Sequence, residues 1–416
     1  MPDPQTPPSP ETAPETAPGT TSERVARVLR EHPLVDGHND LPWELRERVG
    51  GDLTRVDVVD LVRGEPGLRT DLPRLRQGMV GAQFWSVYVP SNLPGHEAVT
   101  ATLEQVELVH RLVAAHGDVL GLALTADDVD RVVASGRVAS LLGAEGGQSI
   151  GCSLGTLRVL HALGVRYLTL THNDNTPWAD SATDEPVLGG LSAFGRDVVR
   201  ELNRVGMMVD LSHVSPATMH AALDVSRAPV LFSHSGARAV TDVVRNVPDD
   251  VLLRVRDTGG TVMVALVPEF LNDDVAAWRA ETADLASAEG VDPKDFPSYQ
   301  RFAFRRQQTH PKPQASLQDA VRHLEHVREV AGVDAVGIGG DYDGTDTYPV
   351  GLEDVSGYPR LLGALADRGW SDEDLAKVAG RNALRVLRDA EAVARDLQAT
   401  TPPVTTPYDV VDLTAR

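Results

Sequence analysis

Short runs rich in Val, Leu, Ile and Met alternate along the chain with longer stretches whose apolar residues recur every three or four positions. Short apolar runs predict strands, and the three-to-four spacing predicts amphipathic helices. Their alternation argues for β/α units around a parallel sheet. Eight strands are expected, at Leu34–His38, Val80–Val89, Val138–Ala144, Tyr167–Thr171, Met207–Leu211, Pro229–Ser233, Thr261–Val267 and Ala335–Gly339. Helical patterns between them cover Glu97–Ala115, Leu154–Leu163, Ala193–Val205, Pro216–Leu223, Asp249–Asp257 and Leu317–Val330. Three more follow the eighth strand, at Tyr358–Asp367, Asp372–Lys377 and Asn382–Leu397. Ser215-Pro216 sets a capping residue before a first-turn proline, and Gly164 and Gly206 stand where helices stop.

Eight parallel strands within residues 22–396 fit a (β/α)8 barrel of the TIM type better than an open sheet. A doubly wound sheet stays open, because strand order is invisible in a sequence. Residues 1–21 are rich in Pro, Thr, Glu and Ala and are expected to form a disordered tail. A second tail is expected over 397–416, in which the run from Tyr408 to Leu413 is apolar enough to dock on a surface. The connection Pro268–Gln314 is too long for a simple crossover. Its Trp278, Phe296, Tyr299, Phe302 and Phe304 suggest an ordered insertion, a lid or a dimer surface, against the plainer alternative of a surface excursion.

Composition narrows the functional classes. Sixty acidic residues against 39 basic give a formal net charge of −21, which disfavours binding to nucleic acid or to an anionic membrane. One cysteine, Cys152, allows neither an intrachain disulfide nor a thiolate metal cluster. The amino-terminal segment lacks the basic start and apolar stretch of a signal peptide, and no downstream run is long and apolar enough to span a bilayer. A cytoplasmic protein is therefore expected. Only three lysines occur, Lys294, Lys312 and Lys377, and none stands at the end of an expected strand.

The chemistry lies at the strand ends. The first strand ends in His38-Asn39-Asp40, where period-two alternation sends the imidazole and the carboxylate to one side. Alone, such a pair is more often a surface accident than a metal site. Five later strands also end in potential ligands: Glu145, His172, His213, His234, and Asp341 with Asp343. In barrels the carboxyl ends of the strands carry the site. Six polar ends at one topological position are hard to satisfy as core, since a buried unpaired charge costs several kcal/mol. Three imidazoles (His38, His213, His234) with the carboxylates of Asp40 and Glu145 suit zinc, other divalent transition metals being allowed. A carboxylate able to bridge suits two ions about 3.5–4 Å apart sharing a water. Asp341 is then a candidate proton shuttle.

The segments Val35-Asp36-Gly37-His38-Asn39-Asp40-Leu41-Pro42, Glu145-Gly146-Gly147, Tyr167-Leu168-Thr169-Leu170-Thr171-His172-Asn173 and Asp210-Leu211-Ser212-His213-Val214-Ser215 closely resemble those of the membrane (renal) dipeptidase family, zinc peptidases among the amidohydrolase-type barrels. Phe232-Ser233-His234-Ser235, Arg245-Asn246-Val247-Pro248-Asp249-Asp250, Gly339-Gly340-Asp341-Tyr342-Asp343-Gly344 and Gly351-Leu352-Glu353-Asp354-Val355 match as well, in order, between Glu31 and Leu387. The resemblance implies a dipeptidase with two zinc ions, one held by His38 and Asp40, the other by His213 and His234, bridged by Glu145 and a water or hydroxide. It implies that His172 stabilises the oxyanion, that Asp341 carries the proton to the leaving amine, and that Arg245 clamps the free carboxylate of the dipeptide. Tolerance of a D-residue at the carboxyl-terminal position follows from the same resemblance, and it leaves a homodimer open. Animal members are secreted, disulfide-linked and lipid-anchored, features for which this sequence offers no support. Two rivals are another amidohydrolase-type hydrolase, acting on a cyclic amide, lactone or phosphoester, and a non-catalytic metal- or peptide-binding barrel.

Overall fold

A strand that is apolar along its whole length buries both faces, which suits a parallel sheet covered by helices. The computed structural model describes residues 20–50, 60–62, 64, 67–293 and 295–408. Its strands are β1 (Leu34–Asn39), β2 (Val80–Ser86), β3 (Leu120–Leu122), β4 (Val138–Ala144), β5 (Val165–Thr169), β6 (Met208–Asp210), β7 (Leu231–Ser235), β8 (Thr261–Val264) and β9 (Val336–Ile338), buried at nearly every position. Pairing is parallel in the order β1, β2, β4, β5, β6, β7, β8, β9, and β9 returns to β1 through Ile338 and Asp36. Eight strands thus close into a (β/α)8 barrel, and the open doubly wound sheet is set aside.

β3 is a ninth strand that the hydrophobic pattern does not announce, because three residues are too few to show a period. It pairs with the first half of β4, from Leu120 opposite Val138 to Leu122 opposite Ser140, on the edge that β5 occupies from Leu142 onward. β2 and β8 end three residues earlier than expected, at Ser86 and Val264. The expected helices are all present, with ends shifted by no more than three residues. Ser215 caps its helix by accepting from the Thr218 amide, and Gly206 ends another with φ of 85°. Helices at Thr21–Glu31, Leu41–Arg48, Leu72–Gln77 and Ala126–Ala134 were not expected.

Residues 1–19, most of the first expected tail, and 409–416, which include all but Tyr408 of the run expected to dock, lie outside the described residues. The last helix, Asn382–Thr400, runs into the segment assigned to the second tail. Residues 401–408 lie along helix Ala193–Val205. There Glu201 accepts from the Val404 amide at 3.1 Å, and Tyr408 meets the Phe194 ring edge-on at 5.4 Å. The insertion carries helices Pro268–Leu271, Asp273–Ala288 and Phe296–Gln307. Trp278, Ala286, Tyr299, Phe302 and Ala303 form a small core of their own. No described helix is long and apolar enough to cross a membrane.

One interior contact links the barrel packing to the rim. Tyr167 of β5 packs over its neighbour in the adjacent strand β4, where a Cβ on Gly143 would stand 1.9 Å from its ring. Only glycine leaves that space, and the ring it admits reaches His38 on the opposite side of the barrel.

Candidate metal centre

Parallel strands bring all their carboxyl ends to one rim. His38 is the fifth residue of β1 and Asp40 follows the strand. Asn39 between them turns away, donating to Thr70 Oγ1 at 2.7 Å and accepting from the Leu41 amide at 2.9 Å. Asp40 stands at the N-cap of helix Leu41–Arg48 yet makes no capping bond, which leaves its carboxylate to the site.

Glu145, one residue past β4, is the hub. Its Oε1 lies 3.0 Å from His213 Nε2, 3.4 Å from His234 Nε2 and 3.8 Å from His172 Nε2. Its Oε2 lies 3.3 Å from His38 Nε2, which is in turn 3.4 Å from Asp40 Oδ2. Oε1 therefore faces three ring nitrogens and Oε2 a fourth, an arrangement suited to a bridging ligand. Donor atoms cluster in three overlapping groups: His38, Glu145 and His234; Glu145, His172 and His213; and His38, Asp40 and Asp341. His234 is shared more evenly between the two sides than the sequence suggested, its Nε2 standing 2.9 Å from that of His213.

The donor set fits a divalent transition metal. His38 Nε2 and Asp40 Oδ1 are buried without a hydrogen-bond partner. Such orphans cost about 1–3 kcal/mol each unless something else satisfies them. Two imidazoles are fixed in the tautomer that offers Nε2. His38 Nδ1 meets Tyr167 Oη at 2.8 Å, whose hydroxyl passes on to the Gly37 carbonyl at 3.3 Å. His234 Nδ1 meets Ser233 Oγ at 2.8 Å, which donates to Asp210 Oδ2 at 2.7 Å. With Nδ1 protonated by these relays, Nε2 carries the lone pair that a metal needs. Ser86, at the end of β2, donates to Glu145 Oε2 at 3.0 Å and orients the bridging carboxylate.

The charges polarise one another. Burial pushes His213 and His234 well below the ordinary imidazole range, toward the neutral form that ligates metal. Burial opposes charge on Glu145, but His38 and the hydrogen bonds from His213 and His234 hold its carboxyl well below the usual range. Asp341 goes the other way: burial raises it well above the usual range, with Asp40 and Glu145 adding to the rise against the opposing charges of His38 and Arg245. It is the carboxyl of the site best suited to carry a proton.

Backbone strain accompanies these roles. Asp341 and His213 both adopt left-handed φ, 55° and 67°, which costs about 1–3 kcal/mol at a non-glycine residue and is held by the surrounding structure. Gly344 keeps the acid pair open, since a Cβ there would stand 2.3 Å from Asp40 Oδ2 and 2.5 Å from Asp341 Oδ1.

His172, past the end of β5, packs its ring 4.5 Å from that of His213 and 4.9 Å from that of Tyr88, and its Nδ1 has no partner. Arg245 lies in the loop after β7, 6% exposed. Its Nη2 donates to the His234 carbonyl at 3.4 Å while Nη1 is buried without a partner. Burial lowers its guanidinium to about 10.

The eight residues assigned to the site thus stand around one rim, whereas Asp343, also named as a potential ligand, accepts from the Arg69 amide at 2.7 Å and joins none of the donor groups. The sequence reading missed Ser86, Tyr167, Ser233 and Asp210, the groups that orient the ligands. Their signal was faint: each sits inside or at the end of an apolar run, where a hydroxyl or carboxylate has to find a partner across the sheet.

A model of the membrane dipeptidase family (peptidase family M19) matches residues 22–401. Dipeptidase 3 of Rattus norvegicus is 42% identical over 376 residues, covering 89% of this chain and 68% of that protein. Among solved structures, the probable dipeptidase PvdM from Pseudomonas aeruginosa superposes with a TM-score of 0.79 at 24% identity, covering 90% of this chain and 99% of that one, a likeness of fold. A metallopeptidase from Rhodobacter sphaeroides, liganded with a phosphinate mimic of the dipeptide L-Ala-D-Ala, has a TM-score of 0.70 at 25% identity and covers 86% of this chain and 99% of that one. With a rim of imidazoles and carboxylates suited to a metal, on a barrel matched nearly end to end, the chain belongs to the membrane dipeptidase family and is a metallodipeptidase.

Proposed function

We propose that the enzyme holds two zinc ions and hydrolyses dipeptides that carry a free carboxylate, with tolerance of a D-residue at the carboxyl-terminal position. The observation that carries the two-ion reading is the Glu145 carboxylate, whose Oε2 faces His38 Nε2 while Oε1 faces Nε2 of His213 and His234, all at 3.0–3.4 Å. His38 and Asp40 would hold one ion and His213 and His234 the other, supplying Lewis acidity and a water acidified to near neutral pH. The chain's own groups do the rest. Asp341 accepts the proton of the attacking water and returns it to the leaving amine, a task its raised pKa favours. His172 offers a ring N–H where negative charge develops on the carbonyl oxygen. Arg245 meets the α-carboxylate through the planar fork of donors that its unpartnered Nη1 leaves open.

A cyclic amide or lactone without a carboxylate would leave the buried guanidinium unpaired, so the dipeptide is a better fit than either. The Rhodobacter sphaeroides relative, with its mimic of L-Ala-D-Ala, supports the stereochemical part. The test combines elemental analysis with assay of matched L,L and L,D dipeptides. Two equivalents of zinc per chain and cleavage of both series are expected. A single equivalent removes the binuclear reading, and strict L,L preference removes the D-tolerance.

A further inference from the structure

The insertion that begins at Pro268 contributes an aromatic ring to the site. Phe270 lies in its first helix, Pro268–Leu271, and the Arg245 guanidinium carbon stands 5.1 Å from the centre of the Phe270 ring. The turn bearing this ring is fastened to the loop after β7 at two successive carbonyls. Asn246, next to Arg245, donates from Nδ2 to the Phe270 carbonyl at 2.8 Å, while its Oδ1 accepts from the Gly236 amide at 2.8 Å. His323, from helix Leu317–Ala331, reaches the Leu271 carbonyl from Nε2 at 3.3 Å and accepts from the Ala237 amide on Nδ1 at 2.9 Å. Asn246 and His323 are both fully buried. Two buried side chains thus tie neighbouring carbonyls of one turn to neighbouring amides of another.

We propose that Phe270 is a positioning residue for substrate recognition: its ring fixes the plane of the Arg245 guanidinium and keeps water from that face. A guanidinium over an aromatic ring gains attraction that grows as the pair is desolvated. With that face covered and Nη2 turned to the His234 carbonyl, the free edge at Nη1 is what the guanidinium offers to a carboxylate. The insertion is then a fixed wall of the site. This inference rests on the reading of Arg245 as the carboxylate clamp, and the experiment separates the two.

The measurement is steady-state hydrolysis of Ala-Ala and of its carboxyl-terminal amide by the zinc-loaded enzyme, with Phe270→Leu, Phe270→Tyr and Arg245→Ala beside the wild type. Phe270→Leu keeps much of the volume and removes the π face. It is expected to raise KM for Ala-Ala about tenfold, the scale of a well-desolvated cation–π contact, with a much smaller fall in kcat. Activity on the amide should change far less, and Phe270→Tyr should restore the wild-type KM. Arg245→Ala should abolish the preference for the free acid. If Arg245→Ala abolishes it and Phe270→Leu leaves it intact, the aromatic platform is overturned and the clamp stands. If neither variant alters the preference, the clamp falls and the platform with it. Equal losses on acid and amide in Phe270→Leu, unrelieved by Phe270→Tyr, would reduce the ring to packing. Should the leucine variant fold poorly, Phe270→Met and Phe270→Tyr give the same comparison.

Discussion

Tyr167 joins the packing of the barrel to the chemistry at its mouth. Its ring fills the space that Gly143 leaves, and its hydroxyl receives the Nδ1 proton of His38 at 2.8 Å. A fully buried tyrosine is ordinarily counted as core, and by burial it is. Its hydroxyl nevertheless decides which nitrogen of His38 faces the metal. Replacing Tyr167 with Phe preserves the ring and removes that acceptor. Loss of such an outer partner typically weakens metal binding about 10–100-fold. Zinc competition against a chelator should therefore show a drop in that range for Tyr167→Phe, with the far-UV circular dichroism of the wild type retained. Unchanged affinity would mean that the hydroxyl only fills space.

Elements differ in how far they could be read from the chain. The barrel strands were legible because burial on both faces forces a run of apolar residues, and the rim was legible because a His, Asp or Glu ending such a run has no place in a core. β3 was hidden by its length, and Ser86 and Ser233 by the ordinary look of serine at a strand end. The fastening of the Pro268–Leu271 turn was hidden for another reason: its partners, Asn246 and His323, come from separate segments and meet only in the fold. His323 carries a pH dependence. Burial lowers its imidazole to about 4, against an unperturbed value of about 6.5. Between those pH values the unfolded chain binds a proton that the folded one refuses, so stability falls as the pH is lowered through this window and the contribution is fully present above it. One proton over about 2.5 pH units amounts to about 3 kcal/mol. His323→Asn keeps an acceptor for the Ala237 amide and does not titrate there. Urea denaturation at pH 7 and pH 4.5 should show the wild type losing more stability than this variant, and parallel losses would exclude His323 as the source.

At the scale of the molecule, the described residues form two apolar clusters around and inside the barrel and a third, small one within the insertion. Trp278, Tyr299 and Phe302 bury against Ala286 and Ala303, in a cluster distinct, among the described residues, from those of the barrel. Trp278 is its centre: Nε1 donates to the His310 carbonyl at 3.1 Å, and the Arg306 guanidinium lies 5.4 Å from its ring. Emptying such a site costs about 3–5 kcal/mol in a well-packed core. Where that cost falls depends on cooperativity. Because the small cluster is built from local helices, Trp278→Ala should open Asp273–Gln307 without unfolding the barrel. Hydrogen exchange should then show protection lost across these helices and retained in β1, β4 and β7. Helix Asp273–Ala288 follows directly on the turn that carries Phe270, so the loosened insertion should also raise KM for a dipeptide while zinc content stays at the wild-type level. A uniform loss of protection through the barrel strands would show instead that insertion and barrel fold as one unit, and any rise in KM would then reflect global instability.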